Sequence, residues 1–294
     1  MNGTAIGQVR RFQRTVTQRI GALDDAFMGR DRPLGQARLL WELSAEGSEI
    51  RALRARLELD SGYMSRLLRS LEADGLVVVD GGGPDGRVRR ARLTPAGLAE
   101  RELLDRRSDE AAASLLAPLS EGQRERLVVA MSEVERLLAA SMIEIDVLNP
   151  RHPSARHCLQ AFVAELTSRF DGGFDPARSL PAREEDLRLP AGMMLVATLR
   201  AEPVGCVALR LCPGVGQIKR MWVDPAVRGL GLGRRLLAEV EARAAAHGLR
   251  KVHLETNRLL TEAITLYRAS GYEEVAPFND EPYAHHWFEK RLTD

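Results

Sequence analysis

The chain has 294 residues, 45% apolar and 28% charged, with 25 Gly and 14 Pro; these values exclude extended disorder, a collagen-like repeat and a coiled-coil rod. Its 42 basic and 41 acidic residues leave a net charge of +1, which excludes a histone-like polycation but not a local basic patch. Three cysteines (Cys158, Cys206, Cys212) without a paired Cys–His spacing argue against a disulfide framework or a zinc module. No metal is expected. The longest apolar stretch, Met193 to Leu199, falls far short of the ~20 residues that cross a bilayer, and Met1 to Arg14 holds no apolar signal core. A cytoplasmic chain with no membrane partner is expected. At ~100–200 residues per domain, the length predicts two domains. The texture changes near Ala140: helical apolar spacing gives way to β-rich runs that begin at Met142–Val147. The expected domains are 1–140, mainly α, and 141–294, α/β.

In chain order, Leu34 to Ala45 reads as a helix, and Ile50, Leu53 and Leu57 mark a second short one. Asp60 is placed to cap a third helix, whose Met64, Leu67, Leu68 and Leu71 fall at i, i+3, i+4, i+7. Its other face carries Gly62, Ser65, Arg66 and Arg69, and Asp74–Gly75 is a suitable stop. Leu76–Val79 and Val88–Leu93 read as strands around a glycine-rich loop, and Thr94–Pro95 opens the next helix. Two short helices, a presented helix and a basic hairpin are the parts of a winged helix-turn-helix, in which the third helix enters a DNA major groove. Residues 51–92 hold nine Arg against six acidic residues, a local charge of +3. Arg66 and Arg69 have the reach for guanine edges; Ser61, Tyr63 and Ser65 suit phosphates. The competing view is a solvated, charged helix face on an ordinary helical domain.

This part resembles the MarR family of transcriptional regulators. The residues that carry the resemblance are Ser61-Gly-Tyr-Met-Ser-Arg-Leu-Leu-Arg-Ser-Leu-Glu-Ala-Asp-Gly-Leu76, the wing Pro84-Asp-Gly-Arg87, and Leu93-Thr-Pro-Ala-Gly97. The resemblance implies a homodimer built from the first helix (Gly7 to Met28) and the last two (Thr94 to Leu116, Ser120 to Ala140). It also implies a palindromic double-stranded DNA operator, with Arg87 of the wing at the minor groove. The wing departs from the family's usual Asp-Arg-Arg, having Asp85-Gly86-Arg87 instead.

The sharpest motif lies further on, in Gln217-Ile-Lys-Arg-Met-Trp-Val-Asp-Pro-Ala-Val-Arg-Gly-Leu-Gly-Leu-Gly-Arg-Arg-Leu-Leu237. A strand runs through a turn at Asp224–Pro225 into a loop with Gly229, Gly231 and Gly233, and then into a helix. Glycines admit a ligand close to the backbone, and a helix N-terminus offers unpaired N–H groups and a positive dipole end; together they form a pyrophosphate cradle. A P-loop would need Gly-Lys-Ser/Thr, which is absent. A dinucleotide fold is the rival, with Glu255 lying 22 residues after Gly233, but its third glycine would fall on Arg234 or Leu236.

The third option, Arg-x-x-Gly-x-Gly at Arg228, Gly231 and Gly233, resembles the signature of the GNAT acyltransferases. The resemblance extends over about residues 142–294 and implies a central mixed sheet and acetyl-CoA as cosubstrate. It places Met221, Trp222 and Val223 along pantetheine, and Arg228, Gly229, Leu230, Gly231, Leu232, Gly233, Arg234 and Arg235 around the pyrophosphate. Asn257 and the helix from Glu262 close the site, and Tyr267 protonates the departing thiolate. Helix packing is the alternative for Tyr267. Glu255 is the candidate base for a small amine acceptor, with a solvent-facing or capping carboxylate as its alternative. Glu165, Phe174, Asn279, Tyr283 and His285 are candidates for the acceptor side. The expected protein is therefore a regulator and N-acetyltransferase in one chain, or else a DNA-binding regulator whose second domain only senses acetyl-CoA or a metabolite.

Overall fold

The computed structural model describes residues 3–19, 29, 32–44, 46–81, 89–180 and 183–292. They fall into two compact units, Met1–Ala130 and Met131–Asp294. The first contains α1 (Gly3–Arg19), α2 (Leu34–Glu42), β1 (Ser48–Glu49), α3 (Ile50–Arg56), α4 (Ser61–Ala73), β2 (Val77–Asp80), β3 (Arg90–Leu93) and α5 (Pro95–Leu116). The division between the units falls inside α6 (Glu121–Ser141).

The apolar spacing of α4 does what it predicts. Met64, Leu67, Leu68 and Leu71 are buried and join Ala37 and Leu40 of α2 and Leu53 of α3 in one core. Asp60 caps α4 by accepting the Tyr63 N–H at 2.8 Å, and Gly75 ends it with φ +69°. β2 and β3 form the expected antiparallel hairpin, with Val77 opposite Leu93. A third strand, β1, pairs with β3. Its two residues are too few for any alternation to show in the sequence. Thr94 caps α5 by accepting the Gly97 N–H at 3.0 Å, while its own N–H donates to the Leu76 carbonyl at 3.0 Å. A Cβ at Gly97 would collide with that same carbonyl, so the Thr-Pro-Ala-Gly run is what lets α5 start against the hairpin. Gln123 Oε1 accepts the Ser120 N–H at 2.9 Å, one half of a capping box for α6. Neither α1 nor α6 buries any residue within the chain; Ile6, Val9 and Phe12 of α1 and Val128, Val129 and Leu137 of α6 are exposed.

The second unit holds β4 (Glu144–Leu148), α7 (Pro153–Arg169), β5 (Gly192–Leu199), β6 (Glu202–Cys212), β7 (Val215–Val223), α8 (Leu232–Ala246), β8 (Lys251–Thr256), α9 (Thr261–Ala269), β9 (Glu273–Val275) and β10 (His286–Arg291). The sheet is mixed, in the order β4-β5-β6-β7-β8-β10-β9, and only β7 and β8 are parallel. Strand alternation sends Leu195, Val207 and Leu209 to the α8 face, against Leu236, Leu237 and Val240. Met194, Val196 and Ala208 face the other way, against Ala155 and Cys158 of α7. The last strand begins only at His286, after a turn at residues 282–283.

The feature that creates a site is a failure of pairing. β7 and β8 are matched at Gly216–Val252 and Gln217–His253 and nowhere beyond. From there the strands part, leaving Ile218–Val223 and Leu254–Thr256 without a shared ladder.

Candidate functional site

Where the strands part, a cleft of about 580 Å³ opens. Its floor is Met221–Val223 of β7, and α8 and α9 wall it through Gly233, Leu266 and Tyr267. Gly231 caps α8 in the left-handed region (φ +80°, ψ +5°), which a side chain would strain. The N–H groups of the first turn of α8 have no intrahelical acceptor and carry the positive end of the helix dipole. Arg234 is exposed at the cleft edge. Bare backbone, a helix N-terminus and a cation fit a pyrophosphate, and the cleft that runs from them to Tyr267 fits a thioester arm.

The cations around the cleft do not all behave as the motif suggests. Arg228 lines it, but its guanidinium is held by Glu165 at 2.6 Å and by the Val223 carbonyl at 3.0 Å. Glu165 also accepts from Trp222 Nε1 at 3.0 Å and from Arg169 at 3.2 Å. Glu165 therefore belongs to the cleft rather than to the acceptor side where it was expected, because α7 delivers it beside β7. Arg235, expected at the phosphates, turns away and donates to the carbonyls of Ala140 and Ile143 at 2.8 and 2.9 Å. Leu230, expected at the phosphates, packs on the hydrophobic core, donates its N–H to the Val227 carbonyl at 3.4 Å and does not line the cleft.

A second cavity of about 130 Å³ adjoins the cleft, and both are lined by Met221 and Tyr267. Tyr267 is buried against Tyr272 and Phe288, yet its hydroxyl points at Met221 Sδ, 3.9 Å away. Burial, and then the nearby charge of Glu255, push this phenol well above its ordinary value, so it keeps its proton at neutral pH. The ring of Tyr267 packs as its alternative role expects, and the residue also lines both cavities. Glu255 lines the small cavity. Its Oε1 forms a buried ion pair with Lys219, and its Oε2 has only a long contact with Asn279 at 3.4 Å.

Phe174 and Tyr283 do line this cavity, their rings 4.8 Å apart. Three other expectations change. Asn257 also lies on the small cavity, not in the cleft: its amide donates to the Tyr283 carbonyl at 2.7 Å and accepts the Leu259 N–H at 2.9 Å. Asn279 stands behind Glu255, accepting from Trp287 Nε1 at 2.8 Å, and is not among the lining residues. His285 is exposed and contributes a backbone N–H to Thr256.

Nothing in the sequence pattern singles out Lys219, Arg220 or Glu281, yet all three line the cavity. Consecutive strand residues should point to opposite faces. Here the β6–β7 register slips, so that Arg220 and Met221 together face the single residue Val207, and Arg220 has φ +54°. This bulge brings two neighbouring cations to one cavity.

In the first unit, α4 presents Ser61, Ser65, Arg66 and Arg69 to solvent. Ser65 donates to the Ser61 carbonyl at 2.8 Å, and Arg69 Nε donates to that of Ser65 at 3.3 Å. Tyr63 is not part of this outer row: its hydroxyl lies against Gly35 of α2, and its ring supports the Arg66 guanidinium at 5.7 Å. Arg87 lies outside the described residues.

The acetyltransferase (GNAT) family model matches residues 159–272 and the MarR family model matches 30–91. An IAA acetyltransferase of Azospirillum brasilense is 37% identical over 131 residues, which cover 42% of this chain and 84% of that one. An uncharacterized N-acetyltransferase of Schizosaccharomyces pombe is 34% identical over 96 residues, 32% of this chain and 59% of its own. Among solved structures, a GNAT-family acetyltransferase of Staphylococcus aureus superposes with a TM-score of 0.44 at 21% identity, covering 51% of this chain and 99% of that one.

Proposed function

The chain belongs to the GNAT family of N-acetyltransferases, with a MarR-family region on its N-terminal side, and from that premise we propose that it carries acetyl from acetyl-CoA to the amine of a small acceptor. One observation supports this above the others. The protonated Tyr267 hydroxyl stands where the long cleft meets the small cavity, and among the described residues its hydrogen-bond acceptor is a thioether. A thioester held from Gly231 towards Tyr267 would have its sulfur near that hydroxyl, and an amine in the small cavity would meet the carbonyl carbon from the other side.

The residues then divide the work. The first turn of α8 and Arg234 hold the pyrophosphate. Glu165 keeps Arg228 oriented along the cleft. Free edges of Met221–Val223 bind the amide groups of the arm by strand-like hydrogen bonds. The Glu255 Oε2, which has only the long Asn279 contact, takes the proton of the attacking amine directly or through water, and Tyr267 donates to the leaving thiolate.

We further propose that the N-terminal region forms a homodimer through the exposed apolar faces of α1 and α6. Its two α4 helices then read a palindromic double-stranded DNA site, with Arg66 and Arg69 at the base edges. The deciding experiment incubates the protein with acetyl-CoA and a broad amine panel, and follows both free thiol and acetylated product. Acetyl-CoA binding with no product from any amine would favour a sensor over an enzyme.

A further inference from the structure

The small cavity holds a cation that no carboxylate contacts directly, although the Glu281 charge lies near enough to act on it. Among the described residues the Arg220 guanidinium has no hydrogen-bond or ion-pair partner; its recorded contact is with the face of Phe162, 5.5 Å away. The other charged groups around it are already engaged. Lys219 pairs with Glu255. Glu281 accepts from Ser179 Oγ at 2.9 Å and from the Leu180 N–H at 2.8 Å, which hold its carboxylate to the 179–180 loop. Burial pulls Arg220 below its ordinary value, against the opposing influence of the Glu281 charge.

Arg220 is half-buried, and a guanidinium with no ion-pair partner keeps its donors available for an anionic ligand. Arg220 is also placed by a register slip and a left-handed backbone conformation, which a purely structural arginine on a strand does not require. The planar fork of Arg suits a carboxylate through two parallel hydrogen bonds. Around it the cavity is aromatic, with Phe162, Phe170, Phe174 and Tyr283. Its volume of about 130 Å³ is near that of an engineered apolar cavity of ~150 Å³ that holds benzene.

We propose that the acceptor is a small free amino acid with an apolar side chain, its carboxylate held by Arg220, its side chain among the aromatic rings and its amine directed to Glu255 and Tyr267. The proposal rests on the acetyl transfer proposed above and specifies its substrate class. The balance is that of an ordinary amide synthesis: the amine nitrogen bonds to the acetyl carbon, the carbon–sulfur bond breaks, one amine proton leaves and the thiolate gains one.

The test uses the full chain with acetyl-CoA and matched compounds: valine, leucine, methionine and phenylalanine, each against its decarboxylated amine and its carboxamide. The acids should exceed both counterparts in kcat/KM by roughly 30-fold or more, the worth of charge-assisted hydrogen bonds to a carboxylate. Arg220→Gln should collapse that preference to within about threefold, mainly through KM, and Arg220→Lys should keep part of it. Should Arg220→Gln not fold, the wild type still decides: 4-methylpentanoate, leucine without its amine, should compete with the amine substrate, and 4-methylpentanamide should not. Equal use of acids and decarboxylated amines, or equal inhibition by acid and amide, overturns the proposal and leaves acetyl transfer standing. Absence of product from every amine tested overturns both.

Discussion

The Tyr267 hydroxyl lies 3.9 Å from the Met221 sulfur, and these two residues are shared by the cleft and the small cavity. α9 supplies one and β7 the other, so the meeting point exists only because β7 and β8 part after Gln217 and His253. A phenol facing a thioether has no strong acceptor of its own, which leaves its proton for a bound group.

Tyr267→Phe keeps the ring packed against Tyr272 and Phe288 and removes the proton donor. kcat for acetyl transfer should fall by roughly 10²-fold, the low end for general acid catalysis, while the Kd for acetyl-CoA stays within about twofold. Steady-state kinetics beside calorimetric titration checks both, and wild-type turnover would assign the protonation to another group or to water.

Gly231→Glu should abolish the rise in Tm that acetyl-CoA gives. The substitution brings a negative charge and a side chain to a position with φ +80° at the N-terminus of α8. Thermal melts at a ligand concentration ~100-fold over Kd, where binding should contribute about 2.7 kcal/mol, provide the measurement. An unchanged shift would displace the pyrophosphate from this loop.

Stability should decline as pH rises above about 10, the ordinary phenol value. Tyr267 and Tyr272 are both pushed well above it, chiefly by burial, so the native state retains protons that the unfolded chain loses. The unfolded state then binds fewer protons, and the unfolding free energy drops with pH. Urea titrations between pH 9 and 11 should show this slope, and Tyr267→Phe should reduce it.

Arg66→Ala and Arg69→Ala should each weaken operator binding and leave acetyl transfer intact. Loss of a bidentate guanine contact costs ~1–3 kcal/mol and relaxes preference at one base position per half-site. Loss of a phosphate contact weakens all sequences alike and lowers the salt slope by about 1. Binding curves on operator and scrambled duplexes at several salt concentrations separate the two, and an unchanged curve for both variants removes α4 as the reading helix.

Asp60→Ala removes the carboxylate that accepts the Tyr63 N–H at 2.8 Å. The expected loss is about 1 kcal/mol from the first unit, read as a lower urea midpoint with an unchanged slope. An unaltered midpoint would mean that the core under α4 sets its start without the cap.

Local chemistry was enough for the sequence to determine α4, the caps of α4 and α5, and the glycine turn that starts α8. Met64, Leu67, Leu68 and Leu71 repeat at the helical period, Asp60 and Thr94 are capping residues at the right offsets, and Gly231 stands where only a bare backbone suits. Each of these depends on neighbours within a few positions along the chain. The surroundings of the reacting groups depend on distant ones. Glu255 looks the same in the sequence whether or not Lys219, 36 positions away, lies against it. Glu165 falls to the cleft because α7 packs beside Trp222, and Arg235 leaves it because two backbone carbonyls near β4 lie within reach. Arg220 enters the cavity only through a slip in the β6–β7 register, and strand register is set by the pairing of whole strands. Side-chain direction at such a bulge is a property of the assembled sheet, which is why tertiary structure alone decided the charges around the small cavity.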